Sequence, residues 1–101
     1  MIAVDLQRAK LSWEWAQGDG GVAESFHIKC GAATGSYTIL VAVADPALRI
    51  YPLSAVVTSP GRYFCTVSAL NQFAESANAN EVSFEAGLVP TAPSNLLLQA
   101  N

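Results

Sequence analysis

The side chains that could carry out chemistry are few in this 101-residue chain. It contains two cysteines, Cys30 and Cys65, and one histidine, His27. Two sulfurs and one imidazole do not complete the four ligands of a structural zinc site. The carboxylates are scattered, without the spacing of a catalytic pair or a calcium loop, and no nucleophile elbow accompanies the histidine. We therefore predict a protein that is not an enzyme and has no catalytic residue, cofactor or metal.

The composition limits the partners that the chain can bind. Hydrophobic residues make up 51% of it, enough for the core of one domain, whereas charged residues make up only 13%. The net charge is −3 and Lys and Arg do not cluster, so we predict no nucleic-acid binding. No apolar run approaches the roughly 18 residues that span a bilayer, so we predict no membrane insertion.

The start of the chain bears on its location. Residues 1–8 lack the basic beginning and the continuous apolar stretch of a signal peptide. The chain therefore either acts without this route of export or is a processed part of something larger. A surface of small polar residues with few charges suits extracellular and virion proteins, and these are the locations that we expect.

Short segments with a two-residue alternation of apolar side chains predict an all-β protein. The clearest follows a Pro-Gly turn at residues 60–61, where Tyr63, Cys65, Val67 and Ala69 share one face. The other strand-like segments lie at residues 2–6, 11–15, 26–30, 37–43, 51–57 and 81–86. Turn residues separate them at roughly ten-residue spacing, which is typical of a β-sandwich.

In their order and spacing, these segments resemble a fibronectin type III domain over about residues 9–86. Residues 11–14 are similar to strand B with its core Trp, residues 26–29 to strand C and residues 63–71 to strand F. Residues 72–76 are similar to the loop after strand F, and residues 80–82 to the start of strand G. The resemblance implies a seven-stranded antiparallel β-sandwich for residues 1–86. An extended tail, residues 87–101, would follow it.

The resemblance also implies which side chains form the core. These are Trp13, Ile28, Tyr63 and Val67, with Tyr63 as a corner residue that bonds back to the main chain. The segment 63–65, Tyr-Phe-Cys, is also similar to an immunoglobulin element. In immunoglobulin domains the Trp lies between the two cysteines, whereas Trp13 precedes both here, so the fibronectin type III match is better.

The same resemblance places the cysteines in neighbouring strands of one sheet. Cys30 and Cys65 would form a disulfide if they stood directly opposite, with Cα atoms within about 7 Å. The alternative is a pair of buried thiols that pack as small hydrophobic side chains. The sequence leaves both states open.

The tail carries the clearest functional signal. Its residues Pro90, Pro93 and Leu96–Leu98 resemble the proline-rich lead and A strand with which the family usually begins, displaced here to the other end of the chain. An apolar strand in solvent is an aggregation hazard unless it has a partner. We predict that Pro90, Pro93, Leu96, Leu97 and Leu98 contact a neighbouring subunit or module by strand addition. The alternative is a plain linker to a following module.

These observations favour a structural module that assembles with copies of itself or into a larger particle. By analogy of fold alone, the expected setting is a bacteriophage fibre, decoration or tail protein. The alternative is a carbohydrate- or protein-binding accessory module of a secreted bacterial enzyme or adhesin. Exposure of Trp15, Tyr37 and Tyr51 as one aromatic platform would favour carbohydrate binding.

Overall fold

The computed structural model describes residues 1–100, which form seven β-strands and one 3-10 turn. In chain order the strands are β1 (Ile2–Asp5), β2 (Lys10–Ser12), β3 (Ser25–Gly31), β4 (Ile39–Val43), β5 (Ile50–Pro52), β6 (Gly61–Leu70) and β7 (Val82–Gly87). The turn, η1, covers Leu53–Ala55. No helix in this part of the chain is long and apolar enough to cross a membrane.

The seven strands divide unequally between two sheets. The larger sheet has five strands in the order β1-β7-β6-β3-β4, and the smaller has only β2 and β5. Strand β6 lies at the centre of the larger sheet and pairs with β3 on one side and β7 on the other. Along β3, the alternating residues Phe26, Ile28 and Cys30 share one face and are buried in the core.

The expectation of a wholly antiparallel sandwich is wrong at the first strand. β1 pairs parallel with β7, from Ile2 opposite Phe84 to Asp5 opposite Gly87. After β1, a tight turn in which the N–H of Ala9 donates to the Asp5 carbonyl (2.8 Å) carries the chain across to the small sheet. Because β1 is not joined to β7 by a hairpin, the pair is free to run in the same direction.

The expected strand at residues 51–57 is also shorter than the pattern suggests. β5 ends at Pro52, and the chain then makes a turn in which the N–H of Val56 donates to the Leu53 carbonyl (2.9 Å). The apolar side chains of this segment are still inside, with Leu53 and Val57 buried. A helical turn and a strand can both bury residues four apart on one side, so alternation alone does not distinguish them here.

The four predicted core residues lie at or against the core. Ile28 is fully buried in β3, whereas Trp13, Tyr63 and Val67 are half-buried and pack against the buried cluster. The ring of Trp13 lies 5.5 Å from that of Phe26, centre to centre. The hydroxyl of Tyr63 donates to the carbonyl of Ser59 at 2.6 Å, four residues earlier in the chain.

Cys30 and Cys65 stand directly opposite each other in the β3–β6 ladder. Their Cα atoms are 4.1 Å apart, and the two sulfurs are joined in a disulfide. Of the two states that the sequence left open, the structure thus contains the oxidised one. The bond lies within the larger sheet, so it ties two neighbouring strands together and does not connect the two sheets.

Removing the disulfide is expected to destabilise the fold. The bond closes a loop of sequence separation 35, for which chain entropy predicts a stabilisation of about 4 kcal/mol. The double variant Cys30→Ala, Cys65→Ala should lose most of this in urea-induced unfolding. The wild type in reductant should lose a similar amount, whereas the variant should be insensitive to reductant. Equal midpoints for oxidised and reduced wild type would contradict the prediction.

Candidate functional site

The C-terminal tail is the most exposed apolar part of the structure. Strand β7 ends at Gly87, one residue beyond the predicted boundary, and residues 88–100 are exposed and form no helix or strand. In Leu96, Leu97 and Leu98, 98%, 72% and 92% of the surface is accessible. Pro90 and Pro93 precede them and are also exposed.

The tail extends away from the domain. The longest dimension of the structure is 74 Å and its radius of gyration is 18.2 Å, whereas a compact chain of this length has a radius of about 13 Å. Residues 88–100 contain no charged side chain. The tail thus presents neutral, apolar residues at a distance from the rest of the chain.

A second open feature is the outer edge of β2. The strand pairs with β5 on one side and with no other strand of residues 1–100. The backbone N–H of Trp13 donates to the Arg49 carbonyl (2.9 Å), and the Ala9 carbonyl accepts from the backbone N–H of Leu53 (2.9 Å). Since the direction of backbone groups alternates along a strand, those of Lys10 and Ser12 point away from β5, towards the open edge.

A groove runs along this open edge, between β2 and the larger sheet. We call it the β2 groove. Its larger part is a cavity of about 410 Å³ with seven apolar or sulfur-containing lining residues: Leu11, Trp13, Ile28, Cys65, Val67, Ala79 and Val82. A smaller cavity of about 150 Å³ shares Trp13 and Val67 with it and continues to Ala69. The groove therefore follows β6 from Cys65 to Ala69.

A cluster of polar side chains lies on the other face of the larger sheet. Glu75 reaches from the β6–β7 connection to Lys29, whose Nζ is 2.6 Å from the carboxylate, and to the hydroxyl of Ser68, which donates to it. His27 Nδ1 is 3.6 Å from the same carboxylate. The bond from Lys29, followed by that from Ser68, lowers the pKa of Glu75 to about 2.

This cluster brings a serine, a histidine and a glutamate together, but not in a catalytic order. A catalytic triad needs the imidazole between the hydroxyl and the carboxylate, whereas Ser68 donates directly to Glu75. A carboxylate with a pKa of about 2 is also a poor general base near neutral pH. The geometry fits a contact that holds the β6–β7 connection against β3.

A similar contact holds the β3–β4 loop. The carboxylate of Glu81 accepts hydrogen bonds from the Thr34 hydroxyl, the Gly35 N–H (3.0 Å) and the Tyr37 hydroxyl (2.6 Å). These donors, Thr34 first, lower the pKa of Glu81, and the bond to Glu81 raises the pKa of Tyr37. Within residues 1–100, no group of three or more His, Cys, Asp or Glu side chains is placed to hold a metal ion.

The structure is similar to the crystal structure of a Fn3-like protein from Clostridium thermocellum. The TM-score is 0.61, the sequences are 25% identical, and the similarity covers 88% of each chain. The chain has an Fn3-like fold. No protein-family model matches its sequence, and neither does any curated protein.

The Fn3-like architecture brings some of the predicted residues together and leaves others apart. Cys30 and Cys65 meet in one sheet, while the tail residues lie far from both. The aromatic residues Trp15, Tyr37 and Tyr51 are half-buried, and Trp15 is covered in part by the guanidinium of Arg49, 5.8 Å from the ring centre.

Sequence reasoning missed both the β2 groove and the Glu75 cluster. The Glu75 contacts depend on how the β6–β7 connection folds back along β6, where Ser76 donates its N–H to the Ala69 carbonyl (2.7 Å). A usable signal was the outward phase of His27 and Lys29 on β3. A half-buried cation on the outer face of a sheet needs an ion-pair partner, which predicts a carboxylate close to it in the fold.

The Glu75 cluster predicts a measurable acid sensitivity. Because the folded-state pKa is lowered from 4.5 to about 2, ionised Glu75 stabilises the fold above pH 4.5, and this contribution is lost as the pH falls towards 2. In the variant Glu75→Gln, the free energy of unfolding should be lower at neutral pH. Its difference from wild type should shrink between pH 4.5 and 2.

Urea unfolding at several pH values measures this difference. The matched control is Glu85→Gln, which removes an exposed ion pair with Arg62 (2.9 Å) that solvent screens. The control should follow wild type across the same pH range. A difference between wild type and Glu75→Gln that is independent of pH would contradict the assignment.

Proposed function

We propose that this Fn3-like protein is a non-catalytic structural module that joins a neighbouring subunit or module through residues 90–98 of its tail. The observation that carries the proposal is the exposure of Leu96, Leu97 and Leu98 on a tail without charges. Contiguous exposed apolar residues mark interaction sites more often than they mark free surface. The partner that we favour is a second copy of the chain.

The strength of such a contact follows from the free energy gained by burial and hydrogen bonding and the free energy that association costs. Burying two of the leucine side chains contributes roughly 3–6 kcal/mol, and each new backbone hydrogen bond adds about 0.5–1.5 kcal/mol. Bringing two free chains together costs roughly 4–15 kcal/mol. The contact is therefore weak between isolated copies and becomes strong when neighbours are already held together, since their effective concentration is then high.

The electrostatics of the domain support a role without catalysis. The carboxylate nearest to a serine and a histidine, Glu75, has a pKa of about 2 and is held by Lys29. Glu81 is held in the same manner by three donors. Both carboxylates are thus engaged in binding loops to the sheet.

The disulfide supports a setting outside a reducing cytosol, because such bonds persist on secreted proteins and virion surfaces. A bacteriophage fibre, decoration or tail protein and an accessory module of a secreted bacterial enzyme or adhesin both meet this condition. The virion role stays a prediction from the sequence. Neither setting alters the proposed contact through the tail.

Deleting residues 88–101 should leave a folded monomer that no longer assembles. The tail makes no part of either sheet, so at dilutions where the full chain is monomeric the near-ultraviolet circular dichroism and the unfolding midpoint of the two proteins should match. Light scattering over a concentration series measures the loss of assembly. The triple variant Leu96→Ser, Leu97→Ser, Leu98→Ser keeps the tail length and should behave like the deletion.

The matched control replaces Leu88 and Val89, which are exposed but lie next to β7, with serine. It should assemble as the full chain does. Unchanged assembly of the deletion variant would reject the proposed function.

A further inference from the structure

We infer that the β2 groove is the acceptor for Leu96–Leu98 of a second copy, which docks as an added strand on the open edge of β2. This inference rests on the proposed function and adds the place, direction and side-chain phase of the contact. Each copy would then offer one donor, the tail, and one acceptor, the groove. Such a contact is heterologous and gives a head-to-tail chain or a closed ring.

The groove lies in line with β1, and we assign the direction of β1 to the docked strand. Ile2 of β1 lies opposite Phe84, and Val82, two residues earlier in β7, lines the groove. The groove thus lies where β1 would continue if it were extended before Ile2. The turn after Asp5 reverses the chain into β2, so a docked strand that takes the direction of β1 on this line runs antiparallel to β2.

The groove matches a short strand in length and in chemistry. It follows β6 from Cys65 to Ala69, which at about 3.3 Å per residue is the length of a strand of four or five residues. Among the residues that line its larger part, Glu14 is the one with a charge. The uncharged segment Leu96–Leu98 therefore meets a lining that is mainly apolar and has one charged side chain.

Polar groups at the edge give the docked strand its hydrogen bonds. The N–H and C=O of Ser12 point away from β5 and are free to pair with a backbone that lies alongside. The indole N–H of Trp13, in the wall of the groove, is buried without a partner. Because this N–H is not accessible from the groove, the hydrogen bonds to the docked strand come from Ser12.

The alternation of a strand fixes which leucines enter the groove. Leu96 and Leu98 share one face, and Leu97 points the other way. Because only this phase buries two leucines, we assign Leu96 and Leu98 to the groove and Leu97 to solvent. The assignment provides a control within the segment itself.

A second copy is a better occupant than the chain's own tail. The tail leaves at Gly87 and extends away from the domain, whereas Val82, at the other end of β7, lines the groove. To reach the groove of its own copy, the tail would have to reverse and pass back over the β1–β7 pair. A tail of a neighbouring copy reaches it without this reversal.

The test uses one donor variant and one acceptor variant of the full chain. In the donor variant, Leu96→Asn with Leu98→Asn, the groove is intact. In the acceptor variant, Ser12→Pro, the tail is intact and the outward N–H of β2 is lost while the bonds to β5 remain. Ser12→Ala keeps that N–H and Leu97→Asn keeps both inward leucines, so these are the matched controls.

Sedimentation velocity up to about 1 mM protein, a range suited to weak contacts, measures association. Wild type and both controls should associate, and each test variant alone should stay monomeric or associate at least about tenfold more weakly. A mixture of the two test variants should form a 1:1 complex of twice the 10.6 kDa mass of the chain and grow no further. That mixture also demonstrates that Ser12→Pro is folded and its tail competent.

Other outcomes overturn the inference at different levels. If Ser12→Pro assembles as wild type does while the tail deletion does not, the tail binds elsewhere and only the β2 groove assignment fails. If wild type stays monomeric and the amides of Lys10 and Ser12 exchange faster after tail deletion, the tail occupies its own groove. If the wild type stays monomeric and these amides are unaffected by the deletion, a second copy is rejected as the partner of the tail, and the groove assignment fails with it.

Discussion

The register between β3 and β6 is the constraint on which the rest of the structure depends. It sets Cys30 opposite Cys65 and Ile28 opposite Val67, so that the apolar positions of both strands face the small sheet. A slip of one residue would turn these side chains to solvent and bring their polar neighbours inside. The disulfide excludes that slip covalently, because it joins the two residues that the register places together.

The same register builds the outer face of the larger sheet. It places His27 opposite Ser68 and Lys29 opposite Thr66, with both hydroxyl side chains buried. Buried polar groups need partners, and the β6–β7 connection provides them through Glu75 and the carbonyl of Ala79, which accepts from Thr66 at 2.9 Å. One face of the β3–β6 pair is thus covered by the core. The other is covered by the β6–β7 connection, which is held by the ion pair of Glu75 with Lys29 and by hydrogen bonds from Ser68 and Thr66.

Local alternation was sufficient to predict the all-β class and the long strand β6, and the family resemblance added the core position of Tyr63 and the neighbouring strands of Cys30 and Cys65. Each of these follows from residues close in sequence or from one strand pairing. Neither was sufficient to predict the parallel pairing of β1, which depends on the path of the chain through the turn after Asp5. Neither could place Glu75, because the β6–β7 connection of eleven residues can follow many paths, and the contact of Glu75 with Lys29 selects one of them. The β2 groove arises from the unequal division of strands between the sheets, which is a property of the whole fold.

The parallel pairing of β1 and β7 has a mechanical consequence. Tension on the chain pulls the start of β1 and the end of β7 in opposite directions along the strand axis, because Ile2 lies beside Phe84 and Asp5 beside Gly87. All the hydrogen bonds of the pair are then loaded in shear at once, whereas an antiparallel terminal pair would unzip one bond at a time. If this outer pair yielded, the disulfide would still keep the segment between Cys30 and Cys65 from lengthening. A module anchored by its tail would thus resist stretching first through shear and then through a covalent limit on its extension.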